Sequence, residues 1–250
     1  MGRGPLIILL HGVSSNAYIF LPMMQILAKE FHVVSLEMRG HGRSSKPASG
    51  YAADNFADDL AAVVSRFDQS AVVVGHALGA WVAMHTADKY PAQLKALVAI
   101  EFLPFIEAEV FKHLQERVLK GQKVYEDEAT LRRELSRRYV NLPPEAIDRR
   151  IRYGFTEGAA RYQPLAERQA LKSICEALSQ PFQSLFMRIR QPTLMIRGEN
   201  SVFVTRDAWR KAAIARPDFA RCEILGTDHY LCEESPIIVS SEITNFLKGL

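Results

Sequence analysis

The chain has few cysteines: its 250 residues include only Cys175, Cys222 and Cys232. An odd, scattered set provides no disulfide framework, and no Cys-x-x-Cys or Cys/His spacing suggests a zinc site. This shortage favours a reducing compartment. We therefore expect a cytoplasmic protein with no structural metal and no cofactor.

Long hydrophobic runs and a large net charge are also absent. The longest apolar run, Leu6–Leu10, is far too short to span a bilayer, and Met1–Pro5 does not resemble a secretory signal. The formal net charge of +3 is too weak to favour nucleic acid as a partner. These absences predict a globular protein with a small-molecule partner and neither a membrane nor a nucleic-acid partner, while a homodimer stays open.

Short apolar runs alternate with helical patterns along most of the chain. The runs are continuous rather than alternating in polarity, which is typical of strands buried on both faces of a parallel sheet. Six strands are predicted: Leu6–Leu10, His32–Leu36, Ala71–Gly75, Ala96–Glu101, Thr193–Arg197 and Arg221–Leu225. Five helices are predicted: Tyr18–Lys29, Asn55–Phe67, Leu78–Lys89, Arg206–Ala215 and Pro236–Leu247, the last with Ser235 as its N-cap. The order predicts a doubly wound α/β fold.

One segment, 104–190, interrupts this alternation. It contains no convincing strand, its pattern is helical, and it carries 16 lysines and arginines against 12 aspartates and glutamates. The pattern predicts a core formed by residues 1–103 and 191–250, with 104–190 as a positively charged helical cap over the carboxyl edge of the sheet.

The most specific motif is Gly75-His76-Ala77-Leu78-Gly79, which joins a buried strand to a helix. Two glycines around one residue indicate a sharp, strained turn that presents the central side chain at the helix N-terminus. Such a turn carries the nucleophile in many hydrolases. Here the central residue is Ala77, which has no nucleophilic atom. The alternative is an ordinary glycine-containing turn.

Two further loops follow predicted strands. His11-Gly12-Val13 comes after the first strand, and His-Gly at that place indicates an oxyanion hole formed by the backbone N–H groups of Val13 and Leu78. His229 follows the last strand, where a general base is expected in this arrangement. The other interpretation of each histidine is a structural role, which we expect for His76.

A carboxylate is needed to orient the base. Ser201 lies where an aspartate is common, three residues after Gly198, and cannot serve as that acid. Glu101 ends an apolar strand, and because a buried unpaired carboxylate is costly, pairing with His229 would explain its position. Glu199 is the second candidate, and a salt bridge to an arginine of the cap is the other interpretation of Glu101.

At these residues the chain resembles the α/β-hydrolase family over essentially its whole length. The resemblance implies the α/β-hydrolase fold: a mostly parallel sheet with helices on both faces and a helical cap inserted after the strand that follows the elbow. It also implies a catalytic set at positions 77, 101 and 229. The chain departs from the family pattern in three respects: it has alanine for the nucleophile, Glu101 where the relative that it resembles has aspartate, and no antiparallel strands before the first parallel one.

Five stretches along the chain strengthen the resemblance to one branch of the family, which acts on a dicarboxylate. The matching stretches are Gly50–Leu60, Val98–Glu107, Arg138–Pro143, Arg197–Ser201 and Asp228–Tyr230. This branch holds carboxylates with cap arginines and a tyrosine, which implies that Arg117, Arg138 and Tyr139 bind an anionic substrate here. Arginine suits this role because its guanidinium binds a carboxylate in two places. The other interpretation of each arginine is a solvated helix face.

Alanine at position 77 leaves two interpretations open. In the first, it is an inactivating Ser→Ala substitution in an amide or ester hydrolase that otherwise keeps its site. In the second, the chain is a natural non-hydrolytic member that binds a ligand. A general carboxylesterase or lactonase would share the same core. Since loss of a triad serine costs about 10⁶-fold in rate, we expect this chain to be nearly inactive in acyl transfer.

Overall fold

The computed structural model describes residues 1–158 and 161–250. The strands are β1 (Leu6–Leu10), β2 (His32–Leu36), β3 (Ala71–His76), β4 (Leu94–Ile100), β5 (Phe155–Gly158), β6 (Arg161–Pro164), β7 (Thr193–Gly198) and β8 (Ala220–Ile224). The helices are α1 (Leu21–Leu27), α2 (Ala53–Val64), α3 (Leu78–Lys89), α4 (Ala108–Lys120), α5 (Glu128–Arg138), α6 (Pro144–Gly154), α7 (Arg168–Leu178), α8 (Gln183–Arg188), α9 (Arg206–Ala215), α10 (Leu231–Glu234) and α11 (Pro236–Lys248). In these residues no helix has the length and apolar character needed to cross a bilayer.

Six strands form one parallel sheet in the order β2-β1-β3-β4-β7-β8. The strands predicted from the sequence are confirmed, with ends shifted by at most two residues. Because all six run in the same direction, their carboxyl ends share one edge of the sheet. The loops that carry Gly12, Ala77, Glu101 and His229 therefore meet at that edge.

Helices cover both faces of the sheet, which explains the unbroken apolar runs. Ile8, Leu10 and Val73 pack on one face with α2 and α3, whereas Ile7 and Leu9 pack on the other face with α1 and α11. Alternate residues of each strand therefore belong to two separate cores.

The helix predicted over Tyr18–Lys29 is wrong as a single element. A 3₁₀ turn over Ala17–Phe20, capped by the Asn16 side chain, precedes the shorter α1. Pro22 is the second residue of α1 and has no N–H to continue the preceding turn, so the hydrogen-bond pattern starts again there.

Ser235 is the N-cap residue of α11 as predicted, but its side chain makes no capping hydrogen bond. Ser235 also follows the last residue of α10, and its N–H donates to the carbonyl of Leu231 at 2.9 Å. Pro236 begins α11 as predicted.

The segment 104–190 contributes α4 to α8 and two small apolar clusters of its own. The prediction that it contains no strand is wrong, because β5 and β6 form an antiparallel hairpin within it. Strands of four residues are too short for hydrophobic periodicity to separate them from a loop. The division into core and cap at residues 104 and 190 stays a prediction.

Candidate active site

Ala77 lies between β3 and α3 in a strained backbone conformation, with φ 49° and ψ −110°. Its N–H donates to the carbonyl of Ile100 at 2.8 Å, and its carbonyl accepts from the N–H of Ala80 at 3.0 Å. Positive φ is unfavourable for a residue with a Cβ, so the surrounding backbone holds this turn in place. The sequence motif predicted this geometry.

The two glycines of the motif are required by close backbone contacts. A Cβ on Gly75 would lie 2.2 Å from the carbonyl carbon of Gly79, and a Cβ on Gly79 would lie 2.1 Å from the carbonyl oxygen of Leu10. No side chain fits at either distance. The turn therefore packs directly against the end of β1, where the candidate oxyanion loop begins.

Glu101 and His229 form a direct hydrogen bond. Nδ1 of His229 lies 2.9 Å from Oε2 of Glu101, and the carboxylate is fully buried. Since a carboxylate accepts, Nδ1 carries the proton, and Nε2 stays available on the other side of the ring. Glu199 is used elsewhere, because its Oε2 accepts from the N–H of Gly226 at 2.9 Å. Of the two carboxylates predicted to orient the base, the structure therefore brings Glu101 to the imidazole.

Other donors hold the Glu101 carboxylate in place. Oε1 accepts from the N–H of Gly198 at 2.7 Å, and Oε2 accepts from Oγ of Ser201 at 2.6 Å. Ser201 Oγ in turn accepts from the N–H of Val204 at 3.0 Å. Ser201 cannot be the acid, as predicted, but sequence reasoning missed that it positions the acid from the same place in the chain.

The N–H groups of Val13 and Leu78 are the candidate oxyanion donors. Both residues line the same cavity as Ala77 and His229, and neither N–H donates to another group in residues 1–158 and 161–250. Leu78 is the first residue of α3, so its N–H is one of the unpaired donors of a helix N-terminus. Two free N–H groups at one cavity can stabilise a developing oxyanion.

Two buried histidines support the loop that contains Val13. Nε2 of His41 accepts from the N–H of Ser14 at 3.1 Å, and Nε2 of His11 accepts from the N–H of Met38 at 3.1 Å. Each ring must be neutral to accept at Nε2. Burial lowers the pKa of His41 to about 4 and lowers the pKa of His11 well below its ordinary value, which keeps both rings neutral.

His76 lies inside the elbow and contacts the loop of His229. Its Nε2 donates to the backbone carbonyl of His229 at 2.8 Å, and the two rings are 4.8 Å apart between centroids. Burial lowers the pKa of His76 to about 3, so this ring is also neutral. The expectation that His76 packs structurally is confirmed, and its hydrogen bond adds a link between the elbow and the His229 loop.

Backbone strain is concentrated at this site. Within the described residues, Ser14, Ala77 and Glu101 are the non-glycine residues with positive φ, at 58°, 49° and 58°. One lies in the candidate oxyanion loop, one at the nucleophile position and one at the acid. Strain of this kind persists only where surrounding contacts hold it, and it is common at functional sites.

Guanidinium groups surround two tyrosines on the opposite wall of the cavity. Arg117 and Arg138 lie 5.8 Å and 5.5 Å from the ring centre of Tyr139, and Arg117 lies 5.6 Å from that of Tyr230. In the described part of the chain, neither Arg117 nor Arg138 forms a salt bridge with a carboxylate; each donates to the backbone carbonyl of the other. Two positive charges without anionic partners at one cavity form a candidate anion site.

Arg150 is a third arginine at this wall, and sequence reasoning missed it. It is 8% exposed, lies 4.1 Å from the ring centre of Tyr139 and 5.2 Å from that of Tyr230, and forms a buried salt bridge with Glu233. Burial alone would lower its pKa, but the charge of Glu233 keeps that pKa above its ordinary value. The signal was available, because Arg150 lies four residues after Ala146 and three after Ile147, on the apolar face of α6.

The cavity that joins these groups is small, with a volume of about 30 Å³. Of the eight site residues proposed from the sequence, seven line this cavity: Val13, Ala77, Leu78, Arg117, Arg138, Tyr139 and His229. The eighth, Glu101, lies behind His229. Such a volume holds one or two water molecules, whereas ligand pockets are usually about 300 Å³ or larger. The described conformation is therefore closed around the site.

Comparison with known proteins agrees with the fold. The family model described as alpha/beta hydrolase fold matches residues 5–236. The 2-(acetamidomethylene)succinate hydrolase of Mesorhizobium japonicum is 36% identical over 247 residues, which cover 98% of this chain and 89% of that protein. A crystal structure of E-2-(acetamidomethylene)succinate hydrolase superposes with a TM-score of 0.96 at 36% identity, covering 99% of this chain and 92% of that one.

More distant relatives have names that imply other reactions. Human epoxide hydrolase 4 is 25% identical over 270 aligned residues, which cover 98% of this chain and 72% of that protein. The family therefore includes several chemistries on one fold, and the reaction has to be argued from the site.

Proposed function

Because this chain belongs to the α/β-hydrolase family, we propose that its site is built to hydrolyse an amide or ester bond in a small substrate that carries carboxylates. The chain is a hydrolase-fold protein that resembles 2-(acetamidomethylene)succinate hydrolase, whose name gives an amide of a dicarboxylic acid as its substrate. We propose the same substrate class here.

One observation carries this proposal. Arg117 and Arg138, which have no carboxylate partners in the described residues, line the same cavity as Ala77 and His229. An anionic substrate held by these guanidinium groups would place its carbonyl next to position 77. A neutral ester would make no ion pair with these two charges, which favours acidic over neutral substrates.

The proposed mechanism applies to the form with serine at position 77. The hydroxyl oxygen adds to the substrate carbonyl carbon while Nε2 of His229 takes its proton. Glu101 holds the imidazole through Nδ1 and stabilises the imidazolium that forms. The N–H groups of Val13 and Leu78 donate to the oxygen of the tetrahedral intermediate.

The second half of the reaction uses the same groups. The intermediate collapses as the bond to the leaving nitrogen or oxygen breaks, and the leaving atom takes the proton from His229. Water then attacks the acyl-enzyme, His229 removes its proton, and the acid product leaves with the serine hydroxyl restored. The described residues offer no cluster of three or more His, Cys, Asp or Glu side chains that would hold a metal ion.

With alanine at position 77, the site keeps every proposed group except the nucleophile. Ala77 has the positive φ of the elbow, although alanine has no nucleophilic atom for this strained conformation to present. We propose that it replaces a serine in an otherwise complete hydrolase, and that the chain binds its substrate without turning it over.

The test is Ala77→Ser, assayed on 2-(acetamidomethylene)succinate and on neutral amides and esters of similar size. The Cβ at position 77 is already accommodated and the cavity has room for one more oxygen. We expect turnover of the acidic amide about 10⁶-fold above that of the unchanged chain. A folded Ala77→Ser protein that is inactive on every substrate would instead favour a natural non-hydrolytic, ligand-binding protein.

The substrate class is tested by Arg138→Ala in the Ala77→Ser background, with Arg133→Ala on the outer surface of α5 as the matched control. We expect Arg138→Ala to lower kcat/KM for the acidic amide by about 10- to 100-fold and Arg133→Ala to change it little. If the Ala77→Ser protein instead prefers neutral esters, and Arg138→Ala leaves that preference unchanged, the result would favour a general carboxylesterase or lactonase.

A further inference from the structure

A second, larger cavity lies on the outer surface of the segment that contains α4 and α5. We call it the outer basin; it has a volume of about 480 Å³ and is bordered by Arg117, Lys120, Lys123, Arg137 and Arg138. Arg117 and Arg138 also line the inner cavity at Ala77. The outer basin and the inner cavity are therefore separated by these two side chains.

A third, narrow cavity of about 40 Å³ connects the walls of the other two. It shares Gly121, Leu135 and Arg138 with the outer basin, and Tyr139 and Arg150 with the inner cavity. Arg138 is the residue that lines all three.

Arg117 and Arg138 form the partition between the outer basin and the inner cavity, and their contacts suit a gate. Nη2 of Arg117 donates to the carbonyl of Arg138 at 2.9 Å, and Nη2 of Arg138 donates to the carbonyl of Arg117 at 2.7 Å. These reciprocal bonds hold α4 and α5 together at the partition. A Cβ at Gly121 would lie 1.9 Å from Nη1 of Arg138, so the guanidinium fits there because residue 121 has no side chain. A carboxylate that binds both guanidinium groups can replace the two carbonyls as their acceptor, so substrate itself can open the partition.

The charge of the outer basin fits an anion. Five cationic side chains and two carboxylates border the outer basin, which gives it a net charge of +3. The formal net charge of the whole chain is also +3. The carboxylates compensate only part of this charge, since Glu134 pairs with Arg137 at 3.3 Å and Glu116 lies 4.0 Å from Lys120. A concave surface of one sign raises the local concentration of the opposite charge and speeds its association.

We propose that the outer basin is the entrance for dicarboxylate substrates and that the Arg117–Arg138 pair is the gate between it and the inner cavity. This inference rests on the proposed function and adds a route to the same site. It also explains how substrate reaches an inner cavity of about 30 Å³ that is closed in the described conformation.

The first test uses the chain as it is, with Ala77, and measures association of 2,2-difluorosuccinate by ¹⁹F NMR exchange. The variant Lys120→Glu/Lys123→Glu reverses two charges at the basin. Its matched control, Lys29→Glu/Lys95→Glu, reverses two exposed charges elsewhere on the surface and changes the net charge equally. We expect the basin variant to lower the association rate constant about tenfold at low ionic strength and less than twofold at about 0.5 M salt, where charges are screened beyond a few ångströms. Equal effects of the two variants would overturn the proposal.

A steric test avoids charge. Lys120→Cys and, as control, Lys95→Cys are each alkylated with a bulky neutral maleimide in a Cys222→Ser background, because Cys222 is partly exposed whereas Cys175 and Cys232 are buried. We expect the label at position 120 to slow association at high salt as well, and the label at position 95 to leave it unaffected. Unhindered association with position 120 labelled would place the entrance elsewhere.

The two proposals fail differently. If Ala77→Ser hydrolyses the acidic amide but the basin variants associate normally, the entrance is wrong and the function stands. If difluorosuccinate does not bind at concentrations up to about 10 mM, the dicarboxylate site fails, and the entrance fails with it.

Discussion

At the scale of single residues, the site depends on backbone positions that the sequence marks only indirectly. Glu101 is an example: it has a positive φ, is fully buried and accepts from Gly198, Ser201 and His229. The strained backbone at position 101 directs a side chain one methylene longer than aspartate back toward His229. Its donors compensate for the burial of the charge.

This geometry predicts the effect of Glu101→Gln in the Ala77→Ser background. Glutamine keeps the shape but loses the charge that stabilises the imidazolium, and its amide cannot accept all three hydrogen bonds. We expect kcat to fall about 10³- to 10⁴-fold, measured at saturating substrate. Glu199→Gln is the matched control, because Glu199 bonds to Gly226 instead of His229. Similar losses in both variants would remove Glu101 from its proposed role.

At the scale of elements, a buried ion pair connects α6 to α10. Arg150 of α6 and Glu233 of α10 are 8% and 2% exposed, and both oxygens of Glu233 accept from the guanidinium. The pair joins an element of the inserted segment to the short helix that follows His229. It therefore fixes the wall that holds Tyr139 relative to the loop of His229.

We expect Arg150→Met to destabilise the protein by about 3–5 kcal/mol, because it leaves the charge of Glu233 buried without a partner. The double variant Arg150→Met/Glu233→Leu removes both charges and should recover most of that loss. Urea denaturation of the unchanged chain, of Arg150→Met, of Glu233→Leu and of the double variant measures the coupling. Additive losses in the double variant would contradict a buried pair.

At the scale of the whole molecule, several buried groups make stability depend on pH. Burial lowers the pKa of His41 and His85 to about 4 and that of His76 to about 3. In the unfolded chain a histidine has a pKa near 6.5 and binds a proton as pH falls through that value, while the folded protein does not. Their contribution to stability is complete above about pH 6.5 and is lost as pH falls from there to about 4 for His41 and His85 and to about 3 for His76.

Glu234 acts in the opposite direction. Burial, followed by its hydrogen bond to Asp228, raises its pKa to about 8, so the folded protein holds a proton that the unfolded chain releases above about pH 4.5. Its contribution is therefore complete below about pH 4.5 and is lost as pH rises to 8.

Because the histidines outnumber Glu234, we expect the free energy of unfolding to fall steeply below about pH 6.5 and to decline gently from there to pH 8. Chemical denaturation at intervals between pH 4 and 9 measures the profile. Glu234→Gln should remove the decline on the alkaline side and leave the acid side in place. A flat profile below pH 6.5 would contradict neutral buried histidines.

The sequence by itself determined the layers of the fold and the position of the elbow. Continuous apolar runs such as Leu6–Leu10 are typical of strands covered on both faces, and Gly75 and Gly79 allow a turn in which no side chain would fit at either position. Both signals are local, since they depend on neighbouring residues alone. Glu101 and His229 each lie at or just after the carboxyl end of a predicted strand, so the sequence could also place them at one edge of the sheet.

Only the tertiary structure decided which groups act together at that edge. The choice of Glu101 over Glu199, the support from Ser201 and the burial of Arg150 between two tyrosines depend on contacts between residues far apart in the chain. Hydrophobic periodicity reports how each segment faces the core, but it does not report the partner of a polar side chain. Such partners are set by how the elements pack, and the closed partition between the outer basin and the inner cavity is set in the same way.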